Sequence, residues 1–239
     1  GNTLLMAHIN SHALATSLQP KLTYNVERDF TPIGLVGVTP NLLICNETQP
    51  AKNVKDLVAL CKQNPGKISF ASAGGGSAQH LALEMFKLRA GIDALHVPYK
   101  GSGPALTDLI GGQVSFFFDN TSVLMPQAKA GKVRLLATSG TSRSAATPDV
   151  PTMSEAGING YDVIGWWALF APANTPPPVV DRLHKEVSKV LESPAIRQKI
   201  VSMGNIVAPA MTPAEARQFI QSEYEKFGRI VKMAGVKLD

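Results

Sequence analysis

The order of the apolar segments along the chain constrains its fold more than any other feature. Between about residues 46 and 161, strand-like runs alternate with helix-like runs. The first helix is capped by Asn53, carries Asp56 in its first turn, and sets Val54, Leu57, Val58 and Cys61 at the spacing of one buried face. Asn64-Pro65-Gly66 stops it. A strand at 68–71 leads through a glycine-rich loop into a helix at 78–90, ended by Gly91. Strands at 94–97, 114–118 and 133–137 follow, with a helix from Pro104 to Gly111-Gly112 among them. Beyond an extended apolar segment at 163–170, the last third is almost wholly helical, with helices at 176–192, 194–203 and 213–234.

Those last helices need a sheet to cover. The spare strands lie at the start, at 4–9 and in two pieces at 32–44 broken at Thr39-Pro40. The expected architecture is α/β with mostly parallel sheets, in two lobes joined by two crossing strands. Lobe 1 is discontinuous, residues 1–44 plus 165–239; lobe 2 is 45–164. The crossing strands, near 41–45 and 163–170, form a hinge on this reading.

Composition narrows the function. With 44% hydrophobic and 17% charged residues, the 239-residue chain is globular rather than disordered. Its net charge of +5 comes from Lys and Arg spread singly, which argues against a nucleic-acid partner and leaves a mild attraction for anions. The longest strongly apolar stretch, 165–173, is too short to span a bilayer. Cys45 and Cys61 form no CxxC pair and no metal-ligand spacing with the five histidines; both read as small core residues, and the sequence leaves open whether they pair.

The chemistry-bearing segments are loops that follow strands. Ser72-Ala73-Gly74-Gly75-Gly76-Ser77-Ala78 joins a strand to a helix. Glycines allow close approach to the backbone, and a helix start offers free N–H groups and a positive dipole end, so this loop reads as an anion site. It is neither a dinucleotide fingerprint nor a nucleophile elbow, because the third glycine is missing and Gln79 stands where the elbow's second glycine belongs. Tyr99 to Gly103 and Asp119-Asn120-Thr121-Ser122 add polar groups at strand ends, and Ser11 and His12 follow the first strand. His80 supports the cap at Ser77, while His8 and His96 read as core residues and His184 as part of a solvated helix. Of Trp166 and Trp167, one fills the core and the other, assigned as Trp166, walls a cleft against a flat or apolar ligand. No paired carboxylates, metal ligands or triad spacing stand out, so no catalytic residue and no cofactor are assigned.

Four stretches, among them "ISFASAGGGSAQHLALEMFKLRAGIDALHVPYKGSGPALTDLIGGQVSFFFDN" and "GWWALFAPANTPPPVVDRL", resemble the substrate-binding receptors of tripartite tricarboxylate transporters, the Bug-type proteins. The HVPYKG and ALTDLIGGQV runs are its most specific parts. The resemblance implies a type II periplasmic-binding-protein fold, export to the periplasm by a signal peptide in the precursor, and capture of a small carboxylate for membrane permease subunits. It implies a carboxylate held by backbone amides, hydroxyls and water, usually without an arginine. By position it implies ligand-binding roles for Ser11, His12, Ser72, Gly74, Gly75, Gly76, Ser77, Ala78, Tyr99, Asp119 and Asn120. Family members often carry Asn-Gly-Thr where this chain has Gly75-Gly76-Ser77, and begin with a βα unit that precedes Gly1; on that reading the chain is part of a longer protein. The competing class is the effector domain of a LysR-type regulator, which shares the two-lobe fold.

Overall fold

The computed structural model describes residues 3–19 and 21–236. In chain order its elements are β1 (Leu5–His8), a π-helical stretch (Asn10–Leu14), α1 (Ala15–Leu18), α2 (Val26–Asp29), β2 (Phe30–Asn46) and α3 (Val54–Gln63). They continue with β3 (Ser69–Ser72), α4 (Ala78–Ala90), β4 (Leu95–Pro98), α5 (Ser102–Ile110), β5 (Phe116–Asn120), α6 (Thr121–Lys129) and β6 (Val133–Thr138). The last are β7 (Ile164–Pro172), α7 (Pro177–Glu192), α8 (Pro194–Ser202), β8 (Ile206–Val207) and α9 (Pro213–Ala234).

The chain divides into two compact units: one runs up to Val38 and resumes at Gly165, the other is Thr39–Ile164. Residues 39–44 group with the second unit, in which β2 is laddered to β5 from Asn41 and to β6 from Leu42. The strand break expected at Thr39-Pro40 is absent, and β2 runs unbroken for 17 residues. Pro40 falls between Gly37 and Val38, which pair with β8, and Asn41, the first residue paired with β5. Its missing N–H removes no bond from either of these ladders.

In the second unit the strand order is β6-β2-β5-β3-β4. β3 is parallel to both β4 and β5, whereas β2 is antiparallel to β5 and β6. The sheet is therefore mixed, not mostly parallel as the sequence predicts. A parallel neighbour needs a crossover such as α4 between β3 and β4, and β2 enters this sheet without one. One face packs Leu42, Ile44, Ala71 and Phe117 against Ala105 and Leu109 of α5 and Leu124 of α6. Phe70, Phe116 and Phe118 form an aromatic layer with Phe86 of α4, ring centroids 5.1–6.3 Å apart. The Tyr161 hydroxyl donates to the Ala82 carbonyl at 2.7 Å, which ties the segment before β7 to α4.

In the first unit the order is β1-β7-β2-β8, with β1 antiparallel to β7 and β8 antiparallel to β2. Thr212 and Glu215 close a reciprocal capping box at the start of α9. His184 is half-buried and bonds the Ile33 carbonyl at 2.9 Å, so it anchors α7 to β2 rather than facing solvent as expected. Both cysteines are buried and unpaired, and burial pushes each thiol up to about 11.

Phe70 is fully buried and touches three other rings, so its removal should leave a cavity the sheet cannot close. Phe70→Ala should lower stability by about 3–5 kcal/mol in chemical denaturation. A loss near 1 kcal/mol would show that the aromatic layer repacks.

Candidate functional site

Parallel pairing brings the C-terminal ends of β3, β4 and β5 to one edge of the second unit's sheet. The loops at 73–77 and 99–101 and the start of α6 leave from that edge. The β3–β4 pairing continues past the strands, with the Tyr99 N–H on the Ser72 carbonyl at 3.0 Å and the Gly101 N–H on the Ala73 carbonyl at 3.1 Å.

The glycine loop is closed by its own hydrogen bonds. The Gly74 N–H donates to Ser72 Oγ at 3.1 Å, and the Gly74 carbonyl accepts from the Ser77 N–H at 3.2 Å and the Ser77 hydroxyl at 2.8 Å. Ser77 Oγ caps α4 by accepting from the His80 N–H at 3.3 Å. The Gly76 N–H donates to His80 Nδ1 at 3.1 Å. Gly74 is held at φ 137°, where a Cβ would lie 3.3 Å from the Tyr99 carbonyl oxygen, so no other residue fits there without strain. After this accounting, the N–H groups of Gly75, Ala78 and Gln79 have no protein acceptor among the described residues. These three amides, at the positive end of a 13-residue helix, are what the loop offers an anion.

The other polar residues at this edge divide between clasping and availability. Asp119 is fully buried; its Oδ1 accepts from Gln79 Nε2 at 2.7 Å and from the Asn120 N–H at 2.8 Å. Burial raises its pKa, partly offset by the hydrogen bonds from Gln79 and Asn120 and by the nearby Ser102 hydroxyl, while Oδ2 is buried with no hydrogen-bond partner among the described residues. Asp119 therefore fastens the start of α4 to the end of β5. Tyr99 spends its hydroxyl on Asp108 Oδ2 at 2.7 Å, and burial with that bond pushes it to about 12. Asn120 stands at the N-cap of α6 without capping it and is half-buried. Its register partner on β2, Asn41, is fully buried, and neither atom of the Asn41 side-chain amide has a partner among the described residues. Sequence reading missed Asn41 as a candidate. The available signal was an asparagine inside an otherwise apolar strand, where a buried amide requires partners.

Ser11, His12 and Trp166 belong to the first unit. Ser11 Oγ donates to the His8 carbonyl at 3.0 Å and lies 3.0 Å from His12 Nδ1. Since the hydroxyl proton is used on His8, His12 donates through Nδ1, leaving Nε2 as a buried acceptor without a partner among the described residues. The His12 ring lies 4.7 Å from that of Phe170 and 4.9 Å from that of Phe30, in the wall of a cavity of about 570 Å³ that Tyr24, Arg217 and Tyr224 also line. Trp166 is sealed in the core against Phe219, and Trp167, half-buried, packs on His8. Among the described residues no group of three or more His, Cys, Asp or Glu side chains is placed to hold a metal ion.

The family model described as the tripartite tricarboxylate transporter family receptor matches residues 1–236. The chain is 35% identical to protein BugT of Bordetella pertussis over 239 residues, all of this chain and 73% of that protein. Among solved structures it resembles R. palustris Rpa4515 with adipate, at 30% identity and a TM-score of 0.90, over 99% of this chain and 79% of that one. It also resembles MatC (Rpa3494) from Rhodopseudomonas palustris with bound malate, at 32% identity and a TM-score of 0.82, over 96% and 79% of the two chains.

The buried histidines make stability depend on pH. Burial lowers the pKa of His12 from 6.5 to about 4, and burial with the neighbouring His80 does the same for His96. Between those values the unfolded chain binds more protons than the folded one, so stability should fall as pH drops from about 6.5 toward 4. His12→Phe, which keeps a ring among rings, should gain on the wild type in melting temperature as pH falls through that window. Parallel melting curves would show that His12 takes its proton in the folded protein.

Proposed function

The chain belongs to the tripartite tricarboxylate transporter receptor family, and from that premise we propose that it captures a short dicarboxylate in the periplasm and passes it unchanged to the membrane permease subunits of its transporter. The ligand class follows the adipate and malate seen with two structural relatives. The observation that carries the reading is the set of uncommitted amides at Gly75, Ala78 and Gln79. One carboxylate accepts from these N–H groups, as charge-assisted hydrogen bonds worth about 1.5–3 kcal/mol each, and gains from the helix dipole. The half-buried amide of Asn120, at the same edge, serves the ligand's remaining polar groups. Gly74, Gly76, Ser72 and Ser77 shape the loop from within, and Asp119 and Tyr99 brace its neighbours.

Gly75 provides the cleanest test. It is exposed, its φ is not positive, and a Cβ there meets nothing within 4 Å. Gly75→Val should therefore leave the melting temperature of the empty protein nearly unchanged while blocking close approach of a carboxylate. Affinity for adipate or malate in calorimetry should fall by about 1–3 kcal/mol. Equal affinity in wild type and variant would remove the loop from the site. Gly76→Val is a poorer probe, because Gly76 sits at φ 71° and the substitution strains the backbone by itself.

A further inference from the structure

Beneath the glycine loop two imidazoles lie face to face. The His80 and His96 ring centroids are 3.7 Å apart and the planes differ by 8°. Each ring engages one end of the loop. His80 Nδ1 accepts the Gly76 N–H at 3.1 Å, and His96 Nε2 lies 2.7 Å from Ser72 Oγ, the acceptor of the Gly74 N–H. A nitrogen that accepts an N–H carries no proton, so His80 holds its proton on Nε2. That side faces Glu84, whose Oε1 is 3.7 Å from Nε2 and 2.9 Å from Lys87 Nζ. Burial pulls the Glu84 pKa up, but the His80 ring nearby and the bonded Lys87 ammonium prevail and lower it from the ordinary glutamate value. An ionised Glu84 beside Nε2 selects the tautomer in which Nδ1 can accept.

We infer that His80, oriented by Glu84 and stacked on His96, is the positioning residue of the carboxylate site: by taking the Gly76 N–H inward it sets the turn that leaves the Gly75, Ala78 and Gln79 amides facing an anion. The inference rests on the reading of the glycine loop as the carboxylate site. His80 itself does not touch the ligand. Its imidazole acts one bond behind the loop, as the outer partners of a metal ligand do. Without the acceptor, the Gly76 amide must turn outward or stay unsatisfied, and either change loosens the path from Gly74 to the start of α4.

Two substitutions separate positioning from packing. His80→Asn puts Oδ1 where Nδ1 stands and keeps an acceptor; His80→Leu fills similar space without one. With adipate and malate as probes, His80→Leu should weaken binding about tenfold or more, the worth of one hydrogen bond, while His80→Asn restores most of it. Hydrogen exchange at the Gly76 amide should quicken in His80→Leu and stay slow in wild type and His80→Asn. In labelled wild-type protein, a through-bond coupling between the Gly76 amide nitrogen and His80 Nδ1 should report the bond itself, even if His80→Leu fails to fold; its absence overturns the proposal. If the acids move the Gly75, Ala78 and Gln79 amide signals yet His80→Leu binds like wild type, the positioning role falls and the site stands. If those three amides respond to neither acid, the loop reading falls and takes the proposal with it.

Discussion

Everything the second unit offers a ligand depends on the parallel register of β4, β3 and β5. Parallel strands release their connections at one edge, so three polar segments far apart in sequence converge there. The antiparallel strand β2 completes that sheet and carries Asn41 to the register position opposite Asn120. The aromatic layer of Phe70, Phe86, Phe116 and Phe118 then fixes α4 on the sheet, and with it the direction of the helix start.

Much of this fold is legible in the sequence because the signals are local. Helix α4 begins at Ala78 and ends before Gly91, as the Ser77 cap and the left-handed glycine demand. The proline starts of α7, α8 and α9 are read equally directly. Helix α6 is not, since Asp119-Asn120-Thr121-Ser122 has loop composition and Pro126 interrupts the helical pattern from within. The mixed direction of the sheet also escapes reading, because strand polarity depends on which segments pair across more than 70 residues.

The site divides along the same line. That the glycine loop precedes a helix is a local fact, and the anion-site reading follows from it. Which of its amides remain free is a matter of partners: Gly76 is committed to His80, Ser77 to Gly74, and the carboxylate of Asp119 to Gln79 across 40 residues. Residue type alone makes all of these look like ligand groups. Trp166 fails for a related reason, since an indole on a strand suits a cleft wall and a core equally, and only the packing of Phe219 against it decides.

Three glycines in a row suggest a flexible loop, and the hydrogen bonds argue otherwise. Between Gly74 and His80, the N–H groups of Gly74, Gly76, Ser77 and His80 are each held by a partner inside the segment or at Ser72. A loop ordered only on binding would lose about 1–2 kcal/mol of backbone entropy per residue, enough to cancel most of what three amide bonds to a carboxylate supply. Here the ordering is done before any ligand arrives, by serine hydroxyls and an imidazole, and the glycines are present because a turn at φ 137° and φ 71° admits little else. The free amides are thus few and fixed, and the proposed anion would meet neutral dipoles there, with no buried counter-charge whose desolvation would have to be offset.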